Sequence, residues 1–252
     1  MSPLRLSRRL LAASLLLTST LLPGAEPPLQ INSVAYPPLS YSDGNPTRRG
    51  LMLDLTELVW HQLGWPMVPR FYPFKRALEL TKAEPNSCLV PTSRTPEREQ
   101  SFKWIGPLYR GAYTLLAVPN RVPLLANLDE AQRYRIGVMR GSALQSELER
   151  RGISPIVEAT PTALFKLLNQ GSIDLWATHD IVGHHEARLN QKQLKVALRL
   201  HEIDSYIACN LAVGDETIRQ LQQKAEEVLK SRAYQQVQAR YGEMGSGKER
   251  PR

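Results

Sequence analysis

The chain has 252 residues, a formal charge of +8 and a 42% apolar composition, enough for a sizeable core in one compact domain or two modest lobes. Its Lys and Arg residues form no run interleaved with aromatics, which argues against a nucleic-acid partner. A Ser-His-Asp hydrolase is unsupported, because no G-x-S-x-G elbow occurs.

Arg5, Arg8 and Arg9 precede an uncharged run from Leu10 to Leu22, and Pro23-Gly24-Ala25 follows. This reads as a secretory signal peptide over residues 1–25, cleaved near Ala25. The run of 13 residues is too short for a bilayer core, which needs roughly 20. The mature chain of 227 residues would then carry +5 and lie free in the periplasm. Two cysteines, Cys88 and Cys209, sit in strand-like runs. In an oxidising compartment they allow one bridge or two buried thiols, and their separation leaves both open.

Strands and helices then alternate. Leu29–Tyr36 reads as a strand, Gly50–Gly64 as an amphipathic helix, Val68–Phe71 as a short strand and Pro73 as a helix start. Ser87–Pro91 is expected as a strand, and Lys103–Ile105 as a short one broken by Gly106-Pro107. Strands are expected at Tyr113–Val118, Arg135–Met139, Pro155–Ala159, Ile173–Ala177, Leu194–Leu200 and Tyr206–Val213. Helices are expected over Ala143–Arg151, from Thr160 to Gly171, over Asp180–Leu189, from Asp215 through Leu229 and on to Tyr241. The alternation argues for parallel α/β sheets, which bind ligands at the carboxyl ends of their strands.

Six segments in this order carry a resemblance: Tyr36-Pro37-Pro38-Leu39-Ser40-Tyr41, Gly50–Leu55, Arg94-Thr95-Pro96-Glu97-Arg98, Gly106-Pro107-Leu108-Tyr109, Gly137–Ser142 and Gly171–Leu175. Together they resemble the family 3 extracellular solute-binding proteins, the polar amino-acid-binding type of the type II periplasmic binding protein fold. The resemblance implies an α/β fold of two lobes with two crossover strands as the hinge. Lobe one would take residues 26–110 and 206–244, lobe two residues 111–205, with a frayed tail at 245–252. It also places the strand from Tyr206 beside Ser87–Pro91, and so implies a Cys88–Cys209 disulfide.

The resemblance gives Arg98 the ligand's carboxylate, with Ser93 adding a hydroxyl and a backbone N–H; a guanidinium is the natural fork for a carboxylate. Arg140-Gly141-Ser142 opens a helix whose N-terminal amides would clamp the same anion from the other lobe. An acid for an ammonium group would be Asp180, six residues beyond Asp174, although a spacing of five lands on His179; either residue could face the cleft. Asp180 also reads as the N-cap of its helix. Tyr36 and Phe71 or Tyr72 would form aromatic walls. Arg76 is left without a role, Pro91 replaces a small residue on the floor, and Trp60, Trp65, Trp104 and Trp176 are expected in the cores.

The resemblance thus implies a monomeric solute carrier without a cofactor, capturing an amino acid or related carboxylate by lobe closure for an ABC-type permease of the inner membrane. The rival of another class is a periplasmic enzyme like cyclohexadienyl dehydratase, which needs a placed general acid; Glu97 and Asp180 are its candidates. A metal site at His179, Asp180, His184, His185 and Glu186 is disfavoured, since neighbouring histidines on a helix point apart.

Overall fold

Strand β1 (Gln30–Ser33) is buried along almost its whole length, as a strand with neighbours on both edges must be when both faces are covered. It pairs in parallel with β2 (Pro69–Phe71) and β3 (Ser87–Ser93) in the computed structural model, which describes residues 29–42 and 50–245. The expected signal peptide and the last residues of the expected tail lie outside the described residues.

The remaining strands are β4 (Lys103–Ala117), β5 (Ile136–Met139), β6 (Ile156–Glu158), β7 (Leu175–His179) and β8 (Lys195–Cys209). Their order across the sheet is β2-β1-β3-β8-β4-β7-β5-β6. Two parallel blocks, β2-β1-β3 and β7-β5-β6, therefore flank a central antiparallel pair. This α/β arrangement has two lobes, and the central strands serve both. The end of β8 pairs with β3 through Ser205–Cys209, whereas the second half of β4 pairs with β7 through Tyr113–Leu116.

The central pair departs from the sequence expectation in two ways. The strands expected at Lys103–Ile105 and Tyr113–Val118 fall in one continuous strand that ends at Ala117, and those expected at Leu194–Leu200 and Tyr206–Val213 fall in another, Lys195–Cys209. Gly106-Pro107 does not end β4; the pairing with β8 shifts register between Ile105 and Tyr109 and then resumes. A Pro in a strand is tolerated at such irregularities. The sheet is also mixed rather than wholly parallel, because both crossing strands run antiparallel to their outer neighbours.

Among the described residues eight α-helices cover the sheet: α1 (Leu51–His61), α2 (Phe74–Ala83), α3 (Leu128–Ala131), α4 (Ala143–Arg150), α5 (Pro161–Gln170), α6 (Asp180–Leu189), α7 (Asp215–Leu229) and α8 (Arg232–Gly245). Helix α1 buries Leu51, Leu55 and Val59 on one stripe, as the helical period predicts. Its first amides are satisfied from outside: Leu51 N–H donates to the Pro38 carbonyl and Met52 N–H to that of Leu39, meeting the need of orphan donors at a helix start. Gly50 permits this approach. Its φ is +104°, and a Cβ there would stand 2.7 Å from the Leu39 backbone, a position only glycine fills without strain. The turn that carries Tyr36 is thereby fastened to α1. In the same first turn, the Asp54 carboxylate accepts from Tyr241 Oη at 2.8 Å and from Arg240 Nη1 at 3.1 Å, tying α8 to α1. Trp60 and Trp176 are fully buried, as expected, while Trp65 and Trp104 are only partly so.

Cys88 and Cys209 are directly opposed across β3 and β8 and form a disulfide, with Cα atoms 3.9 Å apart. The bridge closes a separation of 121 residues, and long closed loops remove much entropy from the unfolded chain. A Cys88→Ala/Cys209→Ala variant is expected to lose about 3–5 kcal/mol of unfolding free energy in urea titration; an unchanged midpoint would show that the bridge contributes nothing.

Candidate functional site

A cavity of about 40 Å³ lies between the lobes. It sits where β1, β3, β5 and β7 end, so that the chain leaving each strand supplies a wall; this is where open α/β sheets place their ligands. Tyr36, Phe74, Ser93 and Arg98 line it from lobe one, and Met139, Ser142, Leu144 and His179 from lobe two. Tyr113 and Ser205 of the central strands form its back.

Arg98 is positioned by a tight turn after β3, in which its N–H donates to the Thr95 carbonyl. The side chain is only 9% exposed. Its Nη1 donates to the Ser93 carbonyl at 3.4 Å and its Nη2 to the Gly141 carbonyl of the opposite lobe at 3.0 Å. The guanidinium also lies 5.2 Å from the centre of the Phe74 ring, within cation–π range. None of the ion pairs among the described residues includes Arg98. Its sequence neighbours are engaged elsewhere, Glu97 with Arg150 and Glu99 with Arg94. Burial pushes the guanidinium's pKa down, yet an arginine stays charged in a protein.

His179 ends β7, with its side chain on the same strand face as Ala177 and both against the cavity, as the period of two requires. The ring is 4% exposed and packs edge-on against Tyr113 at 4.5 Å and Tyr36 at 5.9 Å between centroids. Its Nδ1 has no hydrogen-bond partner among the described residues. Burial, reinforced by nearby His201, pushes the imidazole pKa down to about 3. It is neutral near pH 7.

The tyrosines are already engaged. Tyr36 Oη is 3.0 Å from Thr178 Oγ1 in the other lobe, and Tyr113 Oη is 2.8 Å from Ser93 Oγ. Burial pushes both phenols up. With the Arg98–Gly141 bond and the Glu97–Arg150 pair, the Tyr36 contact holds the lobes closed on each other.

The predicted anion clamp at Gly141-Ser142 is arranged differently. Gly141 N–H donates to Gln145 Oε1 at 2.7 Å, and Ser142 N–H to the Met139 carbonyl at 3.1 Å. The Ser142 hydroxyl caps α4 by accepting from Gln145 N–H. Both expected amides are thus spent within the loop. The next two, of Ala143 and Leu144, belong to residues that line the cavity, and they have no partner among the described residues. Gly141 instead offers its carbonyl to Arg98. Its φ of +74° favours glycine, and a Cβ there would crowd the Lys75 Cβ at 3.2 Å.

Of the sequence-predicted residues, Tyr36, Ser93, Arg98 and Ser142 come together around the cavity, while Phe71, Tyr72, Arg140, Gly141 and Asp180 do not line it. Phe71 lies on the edge strand β2, so the aromatic wall is Phe74, the first residue of α2. Arg140 is exposed, and its Nη2 reaches the Val157 carbonyl. Asp180 accepts from Ile181 N–H at 2.8 Å and Ala112 N–H at 3.4 Å. Of the two alternatives, then, His179 is the residue at the cavity. Tyr113 went unpredicted; its place opposite His179 in the β4–β7 register depends on the sheet order. Arg76 is exposed on α2. Among the described residues no three of His, Cys, Asp and Glu gather as metal ligands.

The fold has solved counterparts. A histidine kinase sensor domain described as similar to periplasmic binding proteins matches with a TM-score of 0.76 at 19% identity, covering 84% of this chain and 95% of its own. The chain has the two-lobed periplasmic binding protein fold. An ancestral arginine-binding protein bound to glutamine shares this binding-protein fold at a TM-score of 0.75 and 17% identity, over 84% of this chain and 96% of its own. An ancestral amino-acid-binding protein, described as a precursor of cyclohexadienyl dehydratase, shares it at 0.74 and 16%, over 84% and 94%. No family model and no curated protein matches the sequence.

Because His179 stays neutral down to about pH 3 when folded but takes up a proton near 6.5 when exposed, the unfolded chain holds more protons between these values. Stability should therefore fall as pH drops from about 6.5 toward 3, by up to roughly 1.4 kcal/mol per pH unit from this group. His184 and His185 are pushed down by burial too, so the contribution of His179 is read by difference. Urea titrations at pH 7 and pH 4.5 should show a smaller acid loss in His179→Gln than in the wild type; equal losses would mean that this ring takes up no extra proton on unfolding.

Proposed function

We propose that this chain captures a small carboxylate-bearing solute between its lobes and releases it chemically unchanged. The observation that carries the reading is the buried Arg98 guanidinium, which lines the cavity and has no carboxylate partner among the described residues. A buried charge of this kind is costly unless matched, and a planar carboxylate meets its fork with two parallel bonds. The amides of Ala143 and Leu144 at the start of α4 support the same anion from the other lobe. Apolar walls from Val34, Leu39, Phe74, Met139 and Leu144 suit a short carbon skeleton.

Capture proceeds by hinge closure on the long strands β4 and β8. The solute docks first beside Arg98 and Ser93 on lobe one, and lobe two then brings Ser142, Leu144 and His179 over it. The neighbours that share this fold at near-full coverage are mostly described as amino-acid-binding proteins, which supports binding over chemistry. So does the wall itself: no Asp or Glu stands among the described residues lining the cavity, so a carboxyl general acid for dehydration has no place there. The leader-like N-terminus supports a periplasmic location, from which the closed form would deliver its solute as a monomer to an ABC-type permease.

A thermal-shift panel of small carboxylates, amino acids and polyamines is expected to give stabilisation by carboxylates. Arg98→Met should weaken the best of them about 100-fold, equivalent to roughly 3 kcal/mol of charge-assisted bonding. A panel in which only polyamines stabilise, or undiminished affinity in Arg98→Met, would remove the carboxylate site.

A further inference from the structure

We propose that the cavity selects 2-hydroxy carboxylates over the matching 2-amino acids. The inference rests on the carboxylate reading of Arg98 and concerns what the site asks of the neighbouring substituent. Arg98 is the one formally charged side chain among the described residues that line the cavity. A hydroxy acid brings a single negative charge and leaves the closed site neutral. An amino acid brings a carboxylate and an ammonium, so the closed site would hold a net positive charge. Enclosing an unmatched charge away from water is strongly unfavourable. Asp180, the acid next in sequence to the wall, accepts from the amides of Ala112 and Ile181 and does not line the cavity.

His179 holds the wall position where that acid would be needed. Its Nδ1 is buried and unpartnered, while the hydroxyls of Tyr36 and Tyr113 are paired with Thr178 and Ser93. The imidazole is therefore a cavity side chain without a hydrogen-bond partner at Nδ1 among the described residues. A neutral imidazole nitrogen donates in one tautomer and accepts in the other. A hydroxyl can do either and matches both, whereas an ammonium only donates. The cavity volume of about 40 Å³ corresponds to about three water-sized groups, taking roughly 10–15 Å³ for each. So small a volume favours the smallest members of the two classes, such as glycolate and L-lactate against glycine and L-alanine.

Calorimetry on the full chain with these four ligands tests the inference. Glycolate or L-lactate should bind at least about 10-fold more tightly than its amino counterpart, and His179→Asp should reverse the order by supplying the missing negative charge. An amino acid binding as tightly as its hydroxy counterpart in the wild type overturns the inference and leaves the carboxylate reading standing. So does the absence of binding by all four when other carboxylates still bind and depend on Arg98. Binding of the hydroxy acids that is indifferent to Arg98→Met overturns both. The wild-type comparison is decisive by itself if His179→Asp does not fold.

Discussion

A guanidinium held almost out of water, without an ion pair among the described residues, is the interaction on which the rest of this molecule depends. The carbonyls of Ser93 and Gly141 and the face of Phe74 satisfy its hydrogen-bonding and packing needs, but dipoles and a ring do not cancel a unit charge. Those three partners come from the end of β3, the loop before α4 and the first residue of α2, so the position of Arg98 is written into both lobes at once. Its bond to Gly141 makes the proposed solute contact also a tie across the cleft.

Much of this was legible in the sequence because it rests on local chemistry. The helical stripe of Leu51, Leu55 and Val59, the Thr160 cap and the Gly171 stop of α5 each follow from residue type and spacing. The cavity residues Tyr36, Ser93, Arg98 and Ser142 were reached only with the help of the resemblance, since a lone arginine after a strand is ordinarily a surface residue. What escaped was whatever depends on register or order in the sheet. The two crossing strands looked broken at Gly106-Pro107 and between Leu200 and Tyr206, because pairing that resumes after an irregularity leaves no periodic trace. The choice between His179 and Asp180 turned on which side chain shares a face with Ala177, a difference of one residue that reverses direction on a strand. Phe74 replaced Phe71 for a similar reason: an edge strand far from the central pair cannot reach a cavity that the helix beside it can.

The same fold serves proteins described as binders and one described as a precursor of an enzyme, so function has to be argued from the cavity wall. Here the wall combines one cation, two phenols pushed up by burial, a neutral imidazole and an apolar remainder. None of these is a ready proton donor near neutral pH. Such a lining supports the proposed binding role over the rival reading as an enzyme.

The disulfide has a mechanical consequence beyond cohesion. Cys88 and Cys209 weld the returning end of β8 to the strand whose exit carries Ser93 and, five residues later, Arg98. The bridge therefore resists shear of β8 against β3 and steadies the backbone that leads to Arg98. In the proposed closure, flexure would fall in the stretch of β4 and β8 beyond that weld, where the ladder is already irregular between Tyr113 and Thr114. The second lobe would then do the travelling, and the guanidinium would gain its Gly141 partner only as the jaws come together.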